Sequence, residues 1–139
     1  MSTLIKPCTL NLTVCSGLGI YQSSEWNLPV RLTERINGTE DPIDISDFDG
    51  ECTIKKYCGD DLPIVSPKVE ITNGQNGEFL ISLTAEETSM ILSHGRTYKD
   101  VGVFQYDCVF ISKTNGERFR VLQGQVEVSP AVTDLNDGE

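Results

Sequence analysis

The chain has 139 residues, and 11 basic against 21 acidic side chains leave it a net charge of −10. A field of that sign repels phosphate, which sets nucleic acid aside as a partner, and every apolar run is strand-sized, too short to cross a bilayer. One hydrophobic core is expected, because a chain of this length buries roughly two-thirds of its unfolded surface without help from metals or disulfides.

The N-terminus, MSTLIKPCTL, lacks a basic head followed by an apolar segment, so synthesis in a cytosol is expected. Cys8, Leu10, Leu12 and Val14 alternate with polar residues and predict a first strand. The following segment, CSGLGIYQSS (15 to 24), contains Gly17 and Gly19 but not the third glycine, the lysine or the helix of a phosphate cradle. It reads as a flexible connection or an inter-subunit arm, with Ile20 and Tyr21 as candidate assembly contacts.

From Glu25 to Ile36, Trp26, Leu28, Val30, Leu32 and Ile36 take one parity while Asn27, Arg31, Thr33 and Arg35 take the other. This predicts a strand with one buried face. Pro29 has no N–H to donate, so that strand should lie at an edge or carry a bulge. A turn follows at Asn37-Gly38. The segment DPIDISDFDGE then brings Asp41, Asp44, Asp47, Asp49 and Glu51 together like a fragment of a calcium loop. It lacks the Asp-x-Asp-x-Asp-Gly order and the glutamate at the twelfth position, so a polar loop before a strand is expected and no metal ligand is assigned.

Phe79, Ile81 and Leu83 predict the next strand, and Thr84 with Glu87 three residues on forms a capping box that starts a helix. About three turns are expected, closing near Gly95, with Met90, Ile91 and Leu92 docking it on the core. His94 falls at its C-terminal end, where an imidazolium suits the helix dipole. No nucleophile or orienting acid is placed near it by any motif, so no catalytic residue is assigned. Val101 to Ser112 and Glu117 to Ser129 form a hairpin around Lys113-Thr114-Asn115-Gly116, in which Asn-Gly supplies positive φ angles. On the return strand the apolar phase shifts from Phe119 and Val121 to Leu122, Val126 and Val128, and Gly124 is the expected site of the bulge. Pro130 ends the pairing. Arg118 and Arg120 share one face, which reads either as solvated or as a contact for an acidic neighbour.

The order DPIDIS (41 to 46), CTIKK (52 to 56), NGEFLISLTAEET (76 to 88), YDCVFI (106 to 111) and RFRVLQGQVEVSPAVT (118 to 133) resembles the small immunoglobulin-like domains of tailed-bacteriophage tail and baseplate proteins. The likeness is closest to the N-terminal domain of baseplate upper proteins. It runs from about residue 26 to 133 and departs in the first 24 residues and at SHGRTYKDVG (93 to 102). The resemblance implies an all-β fold, an immunoglobulin-like antiparallel β-sandwich of seven or eight strands with one short helix. Residues 1–24 would form an N-terminal strand and arm, 25–133 the sandwich, and 134–139 an acidic tail. It further implies a non-enzymatic virion protein of the tail, baseplate or fibre-attachment assembly, made in the bacterial cytoplasm. No cofactor is implied; the partners would be other virion proteins and copies of itself, met through Ile20, Tyr21, Arg118 and Arg120. Alternatives are a head-decoration or neck protein, or a soluble adhesion module contacting the host surface.

Cys8, Cys15, Cys52, Cys58 and Cys108 are an odd number, which argues against a complete disulfide framework. Cys52 and Cys58 are spaced unlike the close pairs of zinc knuckles, and Cys8, Cys52 and Cys108 read as small apolar residues of strands in a reducing cytosol. Thiol titration of the unfolded chain without reductant should therefore find all five cysteines free. Three or fewer would contradict both the packing and the reducing compartment.

Overall fold

The computed structural model describes residues 7–91, 97 and 99–132, and of Ile36 the backbone alone. Ten strands lie among them: β1 (Cys8–Thr9), β2 (Ile20–Tyr21), β3 (Trp26–Arg31), β4 (Thr33–Ile36), β5 (Thr39–Pro42), β6 (Phe48–Lys55), β7 (Lys68–Asn73), β8 (Glu78–Leu83), β9 (Gly102–Ser112) and β10 (Arg118–Ser129), with burial alternating most regularly along β8 and β9. A helix, α1 (Ala85–Ser89), and a 3-10 turn at Gly74–Asn76 complete the described elements. One sheet has the order β3-β8-β7; the other runs β6-β9-β10, with β1 and β2 both on the far side of β10. A separate hairpin pairs β4 with β5.

This is the expected all-β sandwich, with the B-E-D against C-F-G partition of immunoglobulin-like domains. It departs from a wholly antiparallel design at one edge, where β1 and β2 run parallel to β10. The two facing sheets enclose one core. Phe79, Ile81 and Leu83 of β8 meet Phe104, Tyr106, Cys108 and Phe110 of β9, and the Phe79 and Phe110 rings cross edge-to-face at 5.0 Å between centroids. Each such side chain contributes about 1.5–3 kcal/mol by leaving water.

The strand expected from Glu25 to Ile36 is divided at Leu32. That buried residue turns its N–H to the Gly77 carbonyl at 2.9 Å and accepts from the Ile43 N–H at 3.0 Å, so the chain leaves β8 and pairs with β5 instead. Pro29 sits on an edge strand, as its missing N–H requires, because β3 has β8 on one side only. β7 was not evident in the sequence. Its half-buried Val69 and Ile71 pack on the core, but its partners lie on β8 and its outer residues are exposed.

On β10 the bulge lies at Val121, three residues before the position expected. Arg120 faces Val109 and Leu122 faces Cys108, which leaves Val121 unpaired and both Val121 and Leu122 buried. Gly124 is needed for another reason, since a Cβ there would stand 2.4 Å from the Leu10 carbonyl oxygen. Its lack of a side chain lets the N-terminal segment run against β10, through Leu10 N–H to Gln123 O at 2.9 Å, Leu12 N–H to Gln125 O at 2.8 Å and Gln22 N–H to Ser129 O at 3.0 Å. Leu12 and Ile20 are thereby completely buried. The Tyr106 hydroxyl donates to Leu10 O at 2.6 Å and the Trp26 indole N–H to Leu18 O at 3.1 Å, tying the same segment to both sheets.

In the hairpin, Gly116 alone takes a positive φ, 75°, while Asn115 does not. Asn115 accepts instead from the Glu117 N–H at 3.0 Å, and Gly116 N–H reaches Ser112 O at 2.9 Å, closing the expected four-residue loop of Lys113 to Gly116. The capping box is present in full: Thr84 Oγ1 accepts from Glu87 N–H at 3.1 Å and Glu87 Oε1 from Thr84 N–H at 2.9 Å. α1 is shorter than expected, five residues: its last turn tightens to i−3 bonds, Met90 N–H to Glu87 O at 3.1 Å and Ile91 N–H to Thr88 O at 3.2 Å, while the Thr88 hydroxyl turns inward and donates to Ser24 O and Ala85 O. Met90 is exposed and Ile91 is buried; Leu92, His94 and Gly95 lie outside the described residues.

Cys52 and Cys108 are buried directly opposite each other on β6 and β9. Burial pushes the Cys108 thiol up to about 12, with a smaller contribution from the Asp107 carboxylate. Cys52 is raised further, first by burial and then by Cys108 and Asp107, and Tyr106 is raised by burial and by the two thiols.

Two outcomes are expected from this core. Ile91→Ala should destabilise the protein by about 2–5 kcal/mol in denaturant unfolding, whereas Met90→Ala should stay within about 0.5 kcal/mol of wild type. The thiols predict alkaline sensitivity. Both states hold their protons below an ordinary thiol value of 9.0, so the stabilisation is complete there. As pH rises past that value the unfolded chain releases protons that the folded chain keeps, and stability falls until the folded thiols ionise. The unfolding midpoint should drop between about pH 9 and 11, less steeply in a Cys52→Ala/Cys108→Ala variant; an equal slope would mean that the thiols are not responsible.

Candidate functional site

The outer face of the β6-β9-β10 sheet is where polar side chains from several strands meet. Period two turns Thr53 and Lys55 of β6 outward beside Gln105 and Asp107 of β9. The register then aligns Thr53, Asp107, Gln123 and Thr9 in one row across four strands. Arg120 bends over this row. Its Nε stands 3.4 Å from Asp107 Oδ2, its Nη1 donates to Gln123 Oε1 at 3.3 Å, and Gln123 Nε2 donates in turn to Thr9 Oγ1 at 3.3 Å. Lys55 borders the row and donates to the Asp60 carbonyl at 2.8 Å. Together they line an open groove of about 500 Å³, with Cys58 also at its wall. Carboxylate, amide, hydroxyl and guanidinium groups at strand spacing can hydrogen-bond a polar ligand or a neighbouring protein surface.

Arg118 and Arg120 share this face, as their spacing predicts, and each has an acid of its own. Arg118 pairs with Glu51 at 3.2 Å and Arg120 with Asp107, with more than half of each guanidinium side chain exposed. Such exposed pairs contribute only about 0.2–1 kcal/mol, so either arginine can exchange its carboxylate for one on a partner at little cost. Tyr21 is half exposed, but it sits beside Ser129 at the other end of β10 from the arginines. Ile20 is a core residue with no exposed surface, because its side chain enters the sandwich beside Val128. The four expected contacts therefore fall into an arginine pair, a separate tyrosine and one side chain that the surface does not offer.

Four of the five carboxylates of the acidic stretch have partners of their own. Asp44 accepts from the Ser46 hydroxyl at 2.6 Å and the Ser46 N–H at 2.9 Å, and these bonds lower its carboxyl below the ordinary range. Asp47 Oδ2 accepts from Thr114 Oγ1 at 2.7 Å and Ser112 Oγ at 3.3 Å, fastening the β9–β10 loop. Asp49 faces Lys113 at 4.0 Å, Glu51 pairs with Arg118, and Asp41 lies on β5. Among the described residues, no three His, Cys, Asp or Glu side chains gather as a metal-ion group. Gly17 and Gly19 donate their N–H groups to the Val14 and Thr13 carbonyls, within the loop that joins the first two strands.

Sequence reasoning found the arginine pair and missed the groove around it. The missing information was register: Gln123 and Thr9 are distant in sequence, and no local pattern says that they stand side by side. No protein-family model matches the chain, and no curated protein matches it.

Proposed function

We propose that the chain is a non-enzymatic structural protein of a tailed-bacteriophage virion, a sandwich module in the tail, baseplate or fibre-attachment assembly that holds another virion protein. The observation that carries the reading is the order of motifs on the fold. DPIDIS falls on the end of β5 and the loop before β6, CTIKK on the second half of β6 and the residue after it, NGEFLISLTAEET on β8, its two preceding residues and α1, YDCVFI on β9, and RFRVLQGQVEVS of the last motif on β10. The mechanism is geometric. The protein is made in the host cytoplasm and works by burying sheet faces and loops against other virion proteins and copies of itself. β3 offers a free strand edge, and Tyr21, Arg118 and Arg120 offer exposed side chains.

The polar groove favours a second reading, an adhesion module whose Asp107, Gln105, Gln123 and Arg120 bind hydroxyl groups of a host-surface saccharide. Incorporation into the particle without saccharide binding separates the two. A Tyr21→Ser/Arg118→Ser variant should melt within about 2 °C of wild type, because both positions are exposed. Its copy number in purified particles should fall. Wild-type protein missing from particles, and monomeric with each tail protein offered to it, would defeat the structural reading.

A further inference from the structure

The large apolar side chains that remain exposed among the described residues gather at one end of the sandwich. Register fixes that end: Trp26 faces Leu83, Lys55 faces Gln105 and Gly102 faces Val128, so β3 and β9 begin where β6, β8 and β10 finish. Tyr21 lies beside Ser129 and Val103 opposite Glu127; Met90 caps α1, Tyr57 and Leu62 belong to the β6–β7 connection, and Val132 follows β10. Leu62 is 79% exposed, Tyr57 65% and Met90 57%. The opposite end, formed by the β4–β5 hairpin and the β9–β10 loop, has no exposed large apolar side chain among the described residues and presents charges instead, Asp41, Asp44 and Asp47 beside Arg35 and Lys113. Exposed apolar residues scattered singly are ordinary, whereas their collection on one part of a surface marks an interaction site.

We propose that this end is a two-fold interface between copies of the chain, a contact that gives the assembly reading above its repeating unit. The occupant follows from the asymmetry between the ends. Head-to-tail stacking would seat the apolar end on a charged one that offers no exposed large apolar side chain among the described residues. Only like against like buries apolar surface on apolar surface, and that contact is isologous and closes as a dimer. Exposed charges around this end have both signs, with Lys56 and Lys68 against Asp61 and Glu86, so a two-fold axis can set opposite charges face to face. The exposed area of these side chains is on the order of the roughly 800 Å² that each partner contributes to a standard interface.

The test is sedimentation equilibrium of the full chain over micromolar concentrations at about 0.15 M salt, an ionic strength that screens the net charge. A monomer–dimer equilibrium is expected. Leu62→Asp and Met90→Asp should each weaken the dimer by about thirtyfold or more with unchanged melting, and Asp41→Lys at the other end should leave it intact. A wild-type monomer throughout, a dimer indifferent to both substitutions, or growth into trimers or open polymers would overturn the inference. Particle incorporation separates it from the proposed function: a dimer through this end that never enters particles defeats the virion role alone. Incorporation of a wild-type chain that stays monomeric in solution defeats the interface alone.

Discussion

The close approach of two backbones at Gly124 is the constraint on which the remainder of this sandwich depends. With no Cβ in the way, the Leu10 carbonyl lies against β10, and the segment from Cys8 to Tyr21 can follow that strand in parallel. Its N–H groups find carbonyls on β10, and the Glu127 N–H finds Leu12 O at 2.9 Å, so an edge that would otherwise present open backbone groups is covered. Leu12 and Ile20 then enter the core from that edge. The Tyr106 hydroxyl would be buried without a partner if Leu10 O were displaced, and an unsatisfied buried donor costs about 1–3 kcal/mol. Sequence, edge protection and core closure are joined at one glycine.

What could be read from the sequence was local. The Thr84–Glu87 capping box needs only residues three apart, and the alternation of Phe79, Ile81 and Leu83 needs one buried face, so both were visible. The division at Leu32 was not, because it depends on Gly77 and Ile43, which reach that backbone from other parts of the chain. Likewise the phase change on β10 was legible as a change of face, while its position was not. Glycine marks places where a bulge is cheap, but here the Arg120 and Leu122 pairings set the bulge at Val121, and the glycine was required for the approach of Leu10. The inward turn of Thr88 was hidden for a similar reason, since its hydroxyl reaches Ser24 on the segment before β3.

The candidate site divides in the same way. That Arg118 and Arg120 share a face follows from strand periodicity alone. That each arrives with an acid from β6 or β9, and that Gln123 and Thr9 extend the hydrogen-bonded row, follows from the order and register of strands far apart in the chain. The Cys52–Cys108 juxtaposition belongs to the same class of fact. Each cysteine was legible as a small apolar strand residue, but their direct opposition appears only once β6 is placed beside β9.

Charge gives this architecture its direction. A net charge of −10 on 139 residues opposes indiscriminate self-association, so any contact between copies would be confined to places where apolar burial exceeds repulsion. The β4–β5 end is the less suited, because its surface offers Arg35, Lys113 and carboxylates held by Ser46, Ser112 and Thr114, and no exposed large apolar side chain among the described residues. The α1 end is the better suited, since Tyr21, Tyr57, Leu62 and Met90 are exposed there among charges of both signs. On the broad sheet face between the ends, the arginines are paired weakly enough to accept another carboxylate. Two ends of unlike character and one exchangeable polar face would let the proposed self-limiting contact and the proposed attachment to a different protein use separate surfaces of one small sandwich.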